Sequence, residues 1–391
     1  GDVYKRQIRS YIPYHPPDPI AVEKAAEILL NAERPVILSG GGVIKSGAYD
    51  VLVALAEYLM VPVVTTLMGK GSIPEDHPLA MGPIGMHGTY QANKMVMEAD
   101  VILSLGVRFS DRSTMDVEEF TKERKIIHFD VDPTEIGKNI KPMHHVVGEL
   151  RTAMNMLFEA IKRRVKAKED SLWVRRAMEL KKEYDGKVFG SEKEFCSPNI
   201  VKKMRELLPP DAIVTTEVGQ NQMWAELYFK VLKPRTFLTS GGLGTMGFGF
   251  PAAIGAKAAR PDVPVVDIAG DGSFLMTNNS LATSVTEGLP VVVCILNNSS
   301  LGMVAQWQRI FYNGRYSAIW LGSTPDFVEL AKSYRAEGVR VHNLEEFEKA
   351  FKEAIKSEIA TVIDIPISPE EDVFPFVPVG ASLREMLMEK P

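Results

Sequence analysis

Cysteine is nearly absent. Cys196 and Cys294 are the two in 391 residues, too few for a disulfide framework and in keeping with a reducing, cytoplasmic setting. Charge of one sign is not in excess either. Lysine and arginine number 45 against 50 aspartates and glutamates, a net charge of −5, which draws the molecule as a whole to neither nucleic acid nor an anionic membrane. Long apolar runs are lacking too: Thr236 to Ala256, as long as any uncharged stretch in the chain, holds six glycines and Pro251, and reads as a loop entering a helix rather than a membrane span. The first residues, GDVYKRQ, have no apolar core of the kind a secretory signal needs. Asp2–Gln7 read as translated adapter DNA, which puts the expected native start near Ile8. What is present is ordinary: 45% hydrophobic and 24% charged residues exclude a disordered or fibrous chain. The length suits two or three domains of ~150 residues each.

A strand–helix alternation runs along the chain. After a proline-rich linker (residues 1–18), Ala21–Ala32 has helical spacing, Pro35–Leu38 is a short apolar strand and Gly40-Gly41-Gly42 a tight turn. Tyr49–Met60 is helical again, and Val61–Thr65, Val101–Leu105 and Lys125–Phe129 are buried strands. Residues 161–187 carry ten Lys/Arg against five Asp/Glu and read as a solvated helical linker. The rhythm then restarts: Ile200–Leu208 is helical, Ala212–Thr216 a strand, Pro251–Ala259 a small-residue helix, and Val263–Ala269 and Val291–Leu296 strands. Helices Phe327–Tyr334 and Leu344–Ile355 and a last strand, Ala360–Ile365, follow. Glu371–Pro391 reads as an extended stretch ending in a short amphipathic helix. The expected fold class is α/β, two doubly wound parallel-sheet domains at 19–165 and 191–368, with a charged linker at 166–190 and a tail at 369–391.

Chemistry concentrates in two places. Gly270-Asp271-Gly272-Ser273 follows the strand Val263–Ala269, and Asn297-Asn298 follows the next one. Polar groups at the carboxyl ends of parallel strands are where open α/β sheets bind ligands. One carboxylate and one amide oxygen suit Mg²⁺, which takes oxygen ligands and completes its shell with phosphate and water. The glycines let backbone approach a phosphate. Either motif alone is an ordinary turn; the pair, each followed by a loop with glycine, is a thiamine diphosphate fingerprint.

The neighbouring residues narrow this further. Glu217-Val218-Gly219-Gln220-Asn221-Gln222-Met223-Trp224, the run from Ser240 to Gly249, Leu301–Trp307 and Val373–Pro378 closely resemble the acetolactate synthase (acetohydroxyacid synthase) large catalytic subunit. Gly85–Thr89, Gly106–Arg112 and Asp130–Asp132 do so in the first half, and the resemblance runs from about Ile8 to Leu387. It implies a FAD-binding-type middle domain and a thiamine diphosphate-binding domain. Asp271, Asn298 and the Ser300 carbonyl would hold Mg²⁺. Gly219, Gln220 and Asn221 would meet the diphosphate, with Gly270, Gly272, Ser273, Leu301, Gly302 and Met303 around it. Gly244 and Met246 would touch the aminopyrimidine, Met246 holding the cofactor bent. FAD, without a net redox role, would lie on Gly40, Gly41, Gly42, Thr66, Leu67, Met68, Gly85, Met86, His87, Gly106, Arg108, Asp130 and Val131. The substrate channel would be lined by Asp111, Arg112 and Trp307, the arginine fork binding a keto-acid carboxylate.

The activity implied is decarboxylation of pyruvate on thiamine diphosphate. The hydroxyethyl carbanion then condenses with pyruvate or 2-ketobutyrate, giving 2-acetolactate or 2-aceto-2-hydroxybutyrate for branched-chain amino acid synthesis. The family also implies a homodimer or homotetramer with the active site between subunits, and a small regulatory subunit as partner; no nucleic acid or membrane partner is expected. Three positions depart from the family pattern: Asn221 stands for a histidine, Ser110 for an aspartate, and Asn279-Ser280 for a Gln-Glu pair. The family's amino-terminal pyrimidine-binding domain is not found in the chain, so the fragment alone is expected to be nearly inactive. The alternatives are a related thiamine diphosphate-dependent keto-acid decarboxylase or carboligase, and a non-catalytic FAD or oligomerisation module.

Overall fold

A computed structural model describes residues 15–391; the adapter-like start lies outside the described residues. Two six-stranded sheets, every neighbouring pair parallel, organise the chain. The first holds β1 (Pro35–Ser39), β2 (Val63–Thr65), β3 (Ala80–Pro83), β4 (Val101–Leu105), β5 (Lys125–Asp130) and β6 (His144–Val147), in the order β3-β2-β1-β4-β5-β6. The second holds β7 (Ile213–Thr216), β8 (Phe237–Thr239), β9 (Val265–Gly270), β10 (Val292–Asn297), β11 (Glu337–Arg340) and β12 (Thr361–Pro366), in the order β11-β12-β10-β9-β7-β8. Both are doubly wound. The winding reverses between β1 and β4 in one sheet and between β7 and β9 in the other, and such reversals open a crevice at the carboxyl ends of the strands.

Alternation along the strands explains why both faces must be covered. Ile37 and Leu103 enter one core with the helices Pro19–Leu30 and Leu150–Lys162. Val36, Leu38 and Ile102 enter the opposite core. The helix Leu150–Lys162 buries Leu150, Ala153, Met154, Leu157 and Ile161, the stripe that 3.6-residue periodicity places on one side. Asp18 caps the helix Pro19–Leu30 by accepting from the Ile20 N–H, with Pro19 in the first turn.

Three local expectations are corrected. Gly40–Gly42 do not close a tight turn: Gly41 and Gly42 begin a short helix, Gly41–Ser46, whose N-cap is Gly40. The charged stretch at 161–187 is not simply solvated, because its helix Leu172–Tyr184 buries Trp173, Val174, Ala177 and Leu180 against the first sheet's helices, and Trp173 Nε1 donates to the Pro35 carbonyl at 2.8 Å. Residues 371–391 contain no helix. Phe374, Phe376, Val377 and Leu383 are buried instead, and Phe376 exchanges backbone hydrogen bonds with Leu387 at 2.9 and 2.8 Å. In the part expected to be helical, Leu383 is buried and Leu387 pairs its backbone with Phe376, so this segment packs back on the extended part instead of closing helical hydrogen bonds.

The halves meet through a buried polar contact. Lys70 Nζ lies 2.7 Å from the Glu75 carboxylate and donates to the Glu226 carbonyl at 2.9 Å, while Glu75 accepts from the Val231 N–H at 2.6 Å. Burial, then the nearby Glu75 charge, pushes the Glu226 carboxyl up to about 8 in spite of Lys70. No helix among the described residues is long and apolar enough to cross a membrane.

Candidate functional site

Three neighbouring strands of the second sheet, β7, β9 and β10, end on the same edge. β7 leads into Glu217 and the helix Gln220–Tyr228, with Gly219 as N-cap at φ +148°. β9 leads into Asp271-Gly272-Ser273, and β10 into Asn297-Asn298 and then the helix Gly302–Phe311. Two full-length helices therefore point their positive ends at this edge, a setting that favours phosphate. The sequence-predicted set Gly219, Gln220, Asn221, Gly270, Asp271, Gly272, Ser273, Asn298, Ser300, Leu301, Gly302 and Met303 follows these three strand ends.

Asp271 is the centre of charge. Its Oδ1 accepts from the Gly272 N–H at 2.9 Å, while its buried Oδ2 has no partner. Burial pushes its carboxyl up to about 6, with Asp364 adding a smaller push. A buried carboxylate oxygen without a donor is costly unless a cation completes it. Asn298 places its amide in the same buried layer, accepting from the Ser300 N–H at 3.1 Å and donating to Gln220 Oε1 at 3.2 Å. Asn297, by contrast, is turned away to Asp364 Oδ1 at 2.9 Å. One carboxylate, one amide oxygen and a backbone carbonyl form an all-oxygen set that fits a partly hydrated Mg²⁺. Among the described residues no cluster of three His, Cys, Asp or Glu offers a rival site.

The other predicted contacts differ in how free they are. Asn221 Nδ2 donates to the Ile268 carbonyl at 2.8 Å, and Gln220 spends its amide on Gln306, Glu371 and Asn298. Gly244 and the half-buried Met246 lie on the largely exposed loop from Gly241 to Phe248. Sequence reasoning quoted Glu217 without giving it work. Its fully buried carboxylate accepts from the Gly247 N–H at 2.6 Å and the Phe250 N–H at 3.0 Å, pinning the Met246 loop to the start of the helix Gly249–Ala259. The clue was a carboxylate directly after an apolar strand. Gln306 was missed as well.

The first sheet's edge is built from backbone. Gly40 donates to the Leu105 carbonyl at 2.9 Å and Gly42 to the Gly106 carbonyl at 3.2 Å, and a Cβ on Gly40 would collide with the Gly106 carbonyl. Thr66 and Arg108 lie on the loops beside this crevice, Gly41 opens the helix Gly41–Ser46, and Leu67 and Met68 lie in a short 3-10 turn, with Met68, Arg108 and Val131 exposed and Asp130 buried. The second sheet's glycine loop runs over it: a Cβ on Gly241 would come within 2.6 Å of Met68 Sδ, and one on Gly242 within 3.5 Å of an Arg108 nitrogen. The two crevices are thus neighbours.

Gly85, Met86 and His87 are held under the tail, where Val377 donates to the Met86 carbonyl at 2.8 Å. His87 faces Phe376, with ring centroids 5.4 Å apart, and burial and the Arg112 charge push it down to about 3, so it is neutral at pH 7. Arg112 lies 6.0 Å from the Trp307 ring, and Trp307 packs on Phe311 at 6.1 Å. Asp111 is exposed and pairs with Arg112 at 3.4 Å. Arg112 and Trp307, almost 200 positions apart in sequence, therefore meet in the folded chain.

The class follows from this arrangement. Residues 217–365 match the family model for the C-terminal TPP binding domain of thiamine pyrophosphate enzymes, and residues 22–157 the model for their central domain. A protein of Methanocaldococcus jannaschii named "Probable acetolactate synthase large subunit" is 46% identical over 98% of this chain and 66% of its own length. The acetolactate synthase large subunit of Buchnera aphidicola from Schlechtendalia chinensis is 38% identical over 98% of the chain and 68% of its own length. For acetolactate synthase 1, chloroplastic, of Zea mays the figures are 40%, 96% and 60%. The chain belongs to the acetolactate synthase large subunit family, and it spans about two thirds of the length of these relatives.

Proposed function

We propose that this chain forms the cofactor- and metal-holding part of an acetolactate synthase. The enzyme decarboxylates pyruvate and joins the two-carbon remainder to a second pyruvate, or to 2-ketobutyrate, giving 2-acetolactate or 2-aceto-2-hydroxybutyrate. The observation that carries the reading is the unpartnered, buried Oδ2 of Asp271 beside Asn298 at the edge where β7, β9 and β10 end. Asp271, Asn298 and the Ser300 carbonyl would hold Mg²⁺, and the first N–H groups of the helices Gln220–Tyr228 and Gly302–Phe311 would meet the diphosphate of thiamine diphosphate. When bound, this cofactor supplies the electron sink for breaking the carbon–carbon bond of a 2-keto acid.

The chain's own residues do the rest. Glu217 fixes the loop that carries Met246, the side chain that would hold the cofactor bent. Arg112 takes the keto-acid carboxylate in its fork, and Trp307 sets how large the second keto acid can be. Neutral His87 leaves that wall without a second cation. FAD would be held as a structural cofactor by the crevice between β1 and β4, with Arg108 and Met68 at its side. Pairing of subunits and a regulatory partner belong to the same reading.

The test is acetolactate formation from pyruvate by the full-length protein containing this chain, supplied with thiamine diphosphate, Mg²⁺ and FAD, with Asp271→Ala beside it. Product that disappears in the variant supports the reading. Pyruvate consumed without acetolactate would indicate a related decarboxylase instead.

A further inference from the structure

Three buried carboxamides connect the edge that carries Asp271 to three backbone groups of the chain's tail. Gln306, on the helix Gly302–Phe311, is held at both ends by one residue: its Oε1 accepts from the Val373 N–H at 2.9 Å and its Nε2 donates to the Val373 carbonyl at 3.0 Å. Gln306 Oε1 also accepts from Gln220 Nε2 at 3.0 Å, and that same nitrogen donates to the Glu371 carbonyl at 3.0 Å. Gln220 Oε1 then accepts from Asn298 Nδ2 at 3.2 Å. All three side chains are nearly inaccessible, Gln306 at 2%, Gln220 at 5% and Asn298 at 7% exposure.

A carboxamide can present either its oxygen or its nitrogen, and only its partners decide which. A peptide group has no such freedom, since its N–H can only donate and its carbonyl can only accept. The Val373 peptide groups therefore set Gln306, and Gln306 with the Glu371 carbonyl sets Gln220. Gln220 in turn holds the Asn298 nitrogen while the Ser300 N–H holds Asn298 Oδ1 at 3.1 Å, so the two contacts agree on the sense of the amide, and Oδ1 keeps a second lone pair for another partner. We infer that Gln220 and Gln306 are positioning residues which, anchored on tail residues 371–373, fix the oxygen of Asn298 toward the cation. Gly302 keeps the contact tight, because a Cβ there would collide with Gln220 Oε1 and Asn298 Nδ2. The side chain of Gln220 thus acts through Asn298 and not on the diphosphate. The inference rests on Asp271 and Asn298 being the metal ligands.

The experiment measures Mn²⁺ affinity by electron paramagnetic resonance of the free ion, in the presence of thiamine diphosphate. Outer partners of metal ligands are generally worth ~10–100-fold in affinity. Gln220→Met is expected to weaken Mn²⁺ binding by about that factor and Gln306→Met by a smaller one, ~3–10-fold. Gln220→Glu, which keeps an oxygen facing Asn298, should retain more affinity than Gln220→Met. The decisive readout is the Asn298→Asp background. A carboxylate has no amide sense to set, and Gln220 Oε1 facing it is repulsive, so Gln220→Met should there cost nothing or improve binding. An equal loss in both backgrounds would mean that packing alone is at work, and it would overturn the inference, as would Gln220→Met binding like the wild type. Wild type and Asp271→Ala binding Mn²⁺ equally would instead overturn the metal reading itself, and the inference with it.

Discussion

The two sheets share one winding and one kind of edge, yet they equip that edge differently. In the first, the loops after β1 and β4 touch through backbone, with glycines placed where no Cβ fits. In the second, the loops after β7, β9 and β10 bring in buried side chains: Glu217, Gln220, Asn221, Asp271 and Asn298. The winding supplies a crevice in both cases. Buried polar side chains, which need partners to be tolerated, are what turn the second crevice into a site for charge chemistry. The first remains a crevice walled by backbone.

The largest expected effect lies at the joint between the halves. Lys70→Met strands the Glu75 carboxylate in a dry contact and should cost ~3–5 kcal/mol of stability, read as a lowered urea midpoint. Glu226 sharpens the same point through pH. Its carboxyl is raised to about 8 in the folded chain from an ordinary ~4.3, so the folded state holds the proton longer than the unfolded chain does. That stability is fully present below the ordinary pKa and is lost as pH rises toward 8, a change on the order of a few kcal/mol. Thermal melts of Glu226→Gln across pH 5 to 8 should decline less steeply than those of the wild type, the remaining slope coming from other buried carboxyls such as Asp271.

A matched pair of substitutions contrasts the two edges directly. Gly40→Ala forces a methyl into the Gly106 carbonyl and should lower stability by ~1–3 kcal/mol, because backbone on both sides cannot give way. Gly302→Ala instead meets the ends of Gln220 and Asn298, and should lower Mn²⁺ affinity by ~10–100-fold while moving the melting midpoint less than Gly40→Ala does. The smallest effect is expected at the channel rim. Asp111→Ala removes an exposed ion pair and should change stability by under ~0.5 kcal/mol, within the error of a denaturation curve.

Sequence reading and structure part company at identifiable places. Every inner strand was legible: β1, β2, β4 and β5 in the first sheet, and β7, β9, β10 and β12 in the second. Every edge strand was missed. β3 contains Gly82, β6 opens with His144 and His145, β8 has three residues, and β11 keeps Glu337 and Arg340 at its exposed ends. Edge strands are buried on fewer sides, so they lack the continuous apolar run that marks a strand enclosed by neighbours and helices. The amphipathic helix expected at the end of the tail is absent because Leu383 and Leu387 pack on a core built by distant residues and Leu387 pairs with Phe376, contacts that local periodicity cannot reveal.

The sequence by itself determined the alternation of strands and helices, the two-sheet plan, and the Asp271 and Asn298 motifs at strand ends, because short-range pattern and residue chemistry carry those. Family likeness carried Arg112 and Trp307, whose types alone read as a surface ion pair and a core aromatic. Only the tertiary structure decided which way each buried amide points, that Asn297 turns to Asp364 while Asn298 stays in the site, and that tail residues 371–373 stand behind the metal edge. Those outcomes depend on hydrogen-bond partners brought from distant parts of the chain, Gln220 to Gln306 and Gln306 to Val373. A buried polar group takes its orientation from such partners, and no local pattern names them.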